Sequence, residues 1–385
     1  MPAEEVVSRF LQKVSSHKAR LVAVTAAVLA VLAARRLSSA AMGRAMPSGT
    51  AKHGIKRFDR LLGNGRLHAE LLLFYRGIAS VVVTPLRPVI LVDWTQVRGP
   101  FVALSAAMAT EYGRPLTLWC RVHHVRMLGN AGVQREFLRQ LAQVLPPGAR
   151  PIVVTDAGFH GEFFRDVIRL GWDFLGRIRG TARLYIDGNA TTKKALYGRA
   201  TACPRDYRNA GLYSYRTLGC RLVLVRRPHS SRRSKPTSNN ELREYRKQAR
   251  DPWLLATSLA RAEAGAERVI ELYGQRMQIE ESFRDAKNPR FGIGLSDARS
   301  RTAKRLDVQL LLAALATATA YVIGRDLEQR GEHRGFQANT RRIRVLSVVR
   351  LGIEWVAAHV GEIHSKLDEL RRYFSTPPTL IRGDP

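Results

Sequence analysis

The sequence predicts an α/β fold, in which a mixed sheet is covered by helices, interrupted by a β-rich insertion and flanked by helical regions at both ends. Three observations predict it. Two apolar, β-branched runs, VILVDWT (89–95) and PIVVTDAGF (151–159), read as buried strands that each end near an aspartate. Amphipathic patterns such as QREFLRQLAQVL (134–145) and GEFFRDVIRLGW (161–172) alternate with such strands, the rhythm of a sheet covered by helices. Residues 1–85 and 344–374, by contrast, read as mostly helical.

In chain order, the first marked feature is LVAVTAAVLAVLA (21–33), an apolar run between Arg20 and Arg35. A spanning helix needs roughly 20 residues, so this shorter run is expected to be a buried core helix rather than a membrane anchor. A signal-peptide core would fit its length, but no convincing processing site accompanies it. Ser48, Gly49 and Thr50 then separate two short helical patterns. Within Lys52–Arg66, the cations Lys56, Arg57 and Arg60 lie beside Ile55, Phe58, Leu61 and Leu62. A helix of this kind can place cations against phosphates while its apolar side docks, although a solvated basic face gives the same pattern.

PLRPVILVDWT opens an expected three-stranded meander, continued by FVALSAAMAT and RPLTLWCRVHH. Residues 181–261 then read as an insertion with strand candidates such as CRLVLVRR (220–227). Its polar stretch, HSSRRSKPTSNNELREYRKQAR (229–250), is expected to be a loop or hairpin tip. DPWLLATSL (251–259) returns as a strand, followed by one long helix from about Ala262 to Lys287 and an apolar helix over 303–325. The implied organisation is a helical N-terminal region (1–85), a core in two parts (86–180 and 262–330) around the insertion (181–261), and a helical C-terminal region (331–385).

Charge narrows the function. The chain has 63 Lys plus Arg against 32 Asp plus Glu, a net charge of +31, and 52 of the cations are Arg. Such an excess repels itself, so a polyanionic partner, nucleic acid or an anionic membrane, is expected. A GC-rich coding sequence accounts for Arg over Lys but not for the net charge. Cys120, Cys203 and Cys220 are odd in number and lack metal-binding spacing, which fits a reducing cytosol.

The candidate chemistry lies in three carboxylates. A carboxylate buried at the end of an apolar strand is costly without a compensating cation, and both Asp93 and Asp156 have that context. Singly, each is more often a turn or cap residue, and the strand context that the two share brings the readings about level. The third element is the helical run LYGQRMQIEESFRDAK, where Arg276, Glu280 and Lys287 follow Tyr273 by 3, 7 and 14 residues. At helical spacing the four fall within about 60° on one face, in a row about 21 Å long. An Arg276–Glu280 ion pair on a solvated helix would give part of this pattern. Glu281, about 100° round the helix, is expected to be the surface residue, with Ile279 and Phe283 packed inward. Three converging carboxylates resist ionisation unless divalent cations lie between them, and hard oxygen ligands suit Mg²⁺ or Mn²⁺. Two such ions can activate an attacking oxygen and stabilise a leaving one at phosphorus.

The spacing Tyr-x₂-Arg-x₃-Glu-x₆-Lys, filled by Tyr273, Arg276, Glu280 and Lys287, resembles the signature of insertion-sequence family four, bacterial DDE transposases with an RNase H-like core. The words RMQIEESFRDAK, VDWT, TDAGF, KHGIKRFDRLLGN and FQANT look most like its insertion-sequence-ten branch, and the resemblance runs from about residue 20 to about 360. It implies Asp93, Asp156 and Glu280 as catalytic residues and ligands of two Mg²⁺ ions, with Mn²⁺ able to substitute. It also implies a β-rich insertion between the second and third ligands, 124 residues apart here. The implied reaction is nicking, attack of the freed 3′ hydroxyl on the opposite strand, hairpin opening and joining of the excised element to target DNA.

Tyr273, Arg276 and Lys287 match positions that contact the cleaved DNA end. Trp253 matches a tryptophan that stacks on an extruded base, a role that must be weighed against ordinary strand packing. The implied partners are double-stranded terminal inverted repeats and target DNA, held by a synaptic homodimer, in a nucleoid-associated, cytoplasmic bacterial protein and not at a membrane. Residues 1–19 and 365–385 match no motif. Two other readings use the same residues: an RNase H-like nuclease without strand transfer, and a catalytically silent DNA-end-binding protein.

Overall fold

The computed structural model describes residues 2–46, 50–179, 183–213, 217–227, 251–288, 292–341 and 343–359. The polar stretch 229–250 and the part of the expected C-terminal helix beyond residue 359 lie outside them.

Six helices come first: α1 (Ala3–Leu11), α2 (Lys18–Ala34), α3 (Ser39–Ala45), α4 (Ala51–Leu62), α5 (Gly65–Ala69) and α6 (Leu71–Val82). The Pro-bounded run then becomes β1 (Val89–Arg98), which turns through Gly99, at φ 51°, into β2 (Phe101–Met108) and on to β3 (Leu116–His124). The left-handed φ at this two-residue turn is the conformation that favours glycine. Next come α7 (Ala131–Val144), β4 (Ile152–Thr155), α8 (Gly161–Arg169) and β5 (Asp173–Arg177). The segment expected to be an insertion contains β6 (Arg183–Ile186), β7 (Asn189–Thr192), α9 (Lys193–Tyr197), β8 (Arg205–Tyr213) and β9 (Thr217–Val225). β10 (Trp253–Thr257), α10 (Ala266–Gly274), α11 (Met277–Lys287), α12 (Ala303–Gln329) and α13 (Val348–Ala358) follow among the described residues.

The strands form one ten-stranded mixed sheet in the order β3-β2-β1-β4-β5-β10-β9-β8-β6-β7. β1, β4 and β5 run parallel, and their crossovers carry helices; β9 and the strands beyond it extend the same sheet by antiparallel pairing of β9 with β10. This is the mixed α/β architecture that the sequence predicts.

Strand alternation divides the interior into two layers. Ile90, Val92, Val153 and Phe174 face one core, shared with α1, α2, α6 and α12. Leu91, Val154, Leu175, Val223 and Leu255 face the other, covered by Val269, Leu272 and Ile279 of α10 and α11. α2 is buried along most of its length, as expected of a core helix. α12 is long and apolar enough to cross a membrane, as are α2 and α3 taken together across a 102° bend, but 83% of the apolar window of α12 is buried inside the protein. α12 and α13 cross so closely that a Cβ on Gly324 would lie 1.9 Å from the Val348 carbonyl oxygen.

Two expectations need correction. The long helix over 262–287 is two helices, broken at Gln275 and Arg276. At the break the amides bond back three residues, Arg276 N to Tyr273 O at 3.0 Å and Ile279 N to Arg276 O at 3.1 Å, which tightens the turn. Gly274, a weak helix former, sits at that point. Glu281 is not the more exposed of the two glutamates: its side chain is 19% accessible against 40% for Glu280, because Arg284 and Arg114 lie over it.

Candidate active site

Alternation places the first carboxylate. Leu91, Asp93 and Thr95 share the β1 face that α10 and α11 cover, and Ile152 and Val154 put Asp156 on the same face just beyond β4. Val92 pairs with Thr155, so the two aspartates emerge side by side from neighbouring parallel strands. Each oxygen set is partly fixed by the backbone: Trp94 N donates to Asp93 Oδ1 at 2.8 Å, and Gly158 N donates to Asp156 Oδ1 at 2.8 Å.

α11 delivers the rest. Ile279 is its fully buried anchor. Three polar clasps fix its direction: Gln278 exchanges two 3.0 Å hydrogen bonds with the Thr110 backbone, Arg114 Nε donates to Asp285 at 2.6 Å, and Lys287 Nζ donates to Thr95 Oγ1 at 2.8 Å. Glu280 thereby faces β1. Arg276 spans the gap, its Nη2 at 2.5 Å from Glu280 Oε1 and its Nη1 at 3.6 Å from Asp93 Oδ2.

The electrostatics follow from this crowding. Burial, with Asp156 close by, pushes the Asp93 carboxyl from 3.8 up to about 7, although Arg276 and the Trp94 amide oppose the shift. Burial works to lower the Arg276 pKa, but Tyr273, Glu280 and Asp93 outweigh it and the net direction is upward. Burial also raises Tyr273 and lowers Lys287.

The structure therefore gathers Asp93, Asp156, Arg276 and Glu280, with Tyr273 and Lys287 at the margins. Trp253 adjoins them through Tyr273, edge-on at 4.8 Å, and carries the Arg227 guanidinium 4.8 Å over its ring. Lys56, Arg57 and Arg60 are not brought in. They lie on α4, whose Phe58, Leu61 and Leu62 join the core on the opposite face of the sheet. Sequence reasoning missed Thr95, although its position two residues after Asp93 marks the same strand face. It also missed Arg177, half-buried at the end of β5 and lowered in pKa by burial and by Arg179.

A family model described as the transposase DDE domain matches residues 84–317, more than half of the chain and the whole of this constellation. The chain belongs to the transposase DDE domain family. No curated protein matches it in sequence. Membership makes it a transposase, a DNA-binding enzyme of DNA recombination, and the domain generally uses divalent metals.

The donor chemistry of this transposase fits such ions. Asp93 is a largely buried carboxylate beside a second one; burial first and Asp156 second raise its pKa, and a divalent cation there would favour the ionised form. Among the described residues, no three acidic, histidine or cysteine side chains are already close enough together to hold an ion. Arg276 bridges two of the carboxylates instead.

Proposed function

We propose that this transposase excises and inserts a DNA element by cut-and-paste chemistry through hairpin ends, in the manner of insertion-sequence family four and its insertion-sequence-ten branch. The observation that supports the reading is the pair Asp93 and Asp156 at the ends of two parallel strands, with Arg276 bridging Asp93 and Glu280 and Lys287 held on Thr95, two residues after Asp93. In this reading the three carboxylates hold two Mg²⁺ ions, replaceable by Mn²⁺, which when bound activate the attacking oxygen and stabilise the leaving one.

The chain's own residues do the rest. Lys287 and Arg276 hold phosphates on either side of the scissile bond, and Tyr273 positions the end. Water first breaks one phosphodiester and leaves a 3′ hydroxyl. That hydroxyl then attacks the opposite strand, forming a hairpin and releasing the flank, and a second hydrolysis reopens the 3′ end for attack on target DNA. Trp253 offers its indole face to the base that a tight hairpin unstacks, once Arg227 moves off the ring. Lys56, Arg57 and Arg60 on α4, within the N-terminal region 1–85, bind the terminal inverted repeats, and the region 331–385 pairs two protomers in a synaptic homodimer. The setting is the bacterial cytoplasm, on the nucleoid.

Incubating the protein with Mg²⁺ and a linear DNA carrying the inverted repeats that flank its gene tests this directly. Hairpin-capped ends on a denaturing gel are expected from the wild type and none from Glu280→Ala, which still binds the ends. Binding without cleavage in either Mg²⁺ or Mn²⁺ would sink the reading. Trp253→Ala is expected to nick normally while hairpin formation falls about tenfold or more, in line with the ~1–3 kcal/mol of one base–aromatic stack. Equal loss of both steps would mark Trp253 as a packing residue only.

A further inference from the structure

Arg276 occupies an unusual place for a residue whose expected partner is DNA. Its side chain is 14% accessible, and its guanidinium lies between Glu280 and Asp93, within 2.5 Å and 3.6 Å of their oxygens. It thus supplies part of the positive charge that these two carboxylates require, in the position that divalent cations would share. While it is there, no three-carboxylate cluster stands at ion-binding distances among the described residues.

A guanidinium so buried will not leave two carboxylates for water alone, because removing one partner strands the other's charge. It will leave for another anion that offers a bidentate match, and a DNA phosphate does. The surroundings permit the exchange. Arg276 lies on the two-residue break between α10 and α11, where tightened three-residue backbone bonds replace the regular helical ones. The neighbouring Met277 is 45% exposed and the Glu280 side chain 40%, so the site opens to solvent on this side.

We propose that Arg276 is a displaceable counter-ion that couples metal loading to DNA binding: it neutralises Asp93 and Glu280 in the DNA-free protein and releases both to divalent cations when a DNA phosphate takes it. The inference rests on the two-metal reading above. It makes the empty enzyme a poor metal binder and so a poor nuclease away from its own ends. By linkage the effect is reciprocal, so a divalent cation must tighten DNA binding by the same factor as DNA tightens metal binding.

Mn²⁺ titration followed by electron paramagnetic resonance tests the coupling without any cleavage, on a pre-cleaved terminal-repeat duplex that lacks flanking DNA. For the wild type, the duplex is expected to tighten Mn²⁺ binding about tenfold or more, within the ~5–150-fold typical of allosteric coupling. For Arg276→Gln, Mn²⁺ is expected to bind about tenfold more tightly than to the wild type without DNA, with the further gain from DNA lost. Arg276→Lys keeps the charge but not the fork, is expected to fall between, and carries the test should the glutamine variant not fold. DNA-free Mn²⁺ affinity in these variants equal to or weaker than that of the wild type overturns the counter-ion role. No Mn²⁺ binding by any of the proteins, with or without DNA, overturns the two-metal reading itself.

Discussion

Asp93→Asn is expected to make the metal-free protein more stable at pH 8 while abolishing DNA cleavage. The Asp93 carboxyl is raised from 3.8 to about 7 in the folded protein, first by burial and then by Asp156. A carboxyl with a raised folded pKa binds its proton more tightly folded than unfolded. Its cost to stability is therefore absent below about pH 4, grows as pH rises from there to about 7, and is fully present above. Each tenfold difference in proton affinity between the two states is worth about 1.4 kcal/mol, and the exposed part of the group is screened by water. The neutral amide is thus expected to gain on the order of 3 kcal/mol at pH 8 and almost nothing at pH 4. Denaturation in chelator at the two pH values measures this. A gain of the same size at both would refute it. Divalent metal should stabilise the DNA-bound wild type more than the DNA-bound variant, which lacks one ligand.

Asp307→Ala is expected to do the opposite, lowering stability severely without touching the chemistry of the folded molecules that remain. Asp307 is 2% accessible on α12 and joins three elements. It accepts from Val122 N of β3 at 2.7 Å and contacts His68 Nε2 of α5 at 3.0 Å, with Arg121 Nε at 3.6 Å. Truncation leaves these groups facing a void, and losing one member of a buried charged cluster costs about 3–5 kcal/mol. Asp307→Asn, which keeps an acceptor for the Val122 amide, should lose clearly less. Urea denaturation gives both values, and cleavage per folded molecule should match the wild type. A loss below about 1 kcal/mol for the alanine variant would show that the cluster contributes little to holding α5 against the sheet.

Much of the site was legible because strand alternation is a local code. Asp93 and Asp156 could be recognised as strand-end carboxylates from the residues around them, and the parity shared with Leu91 and Val154 was there to be read. The helix was harder. Regular periodicity assumes a continuous helix, and the tightened turn after Gly274 depends on what α10 and α11 pack against. Glu280 was distinguished from Glu281 by helical angle, but the partner that shields Glu281 is Arg114, which lies 167 positions earlier. The contact of Arg276 with Asp93 is likewise invisible to a rule that sees only its i,i+4 partner. Asp307 went unmarked for the same reason, since His68 and Val122 reach it across 239 and 185 positions.

The broken helix has a further consequence for how firmly the three carboxylates are held. Asp93 lies in β1 and Asp156 directly follows β4, both in the buried middle of the sheet, so displacing either means disrupting the sheet. Glu280 rides on α11, whose one fully buried residue is Ile279, with Phe283 and Ala286 only partly buried and polar clasps as its remaining attachments. Segments with few buried apolar contacts open locally at a fraction of the global unfolding free energy. Two corners of the triangle thus share the thermodynamic fate of the whole fold, while the third has a local opening equilibrium of its own. Because that equilibrium depends partly on Arg114–Asp285 and Lys287–Thr95, ionic strength and bound polyanion act on one corner of the site before they act on the fold.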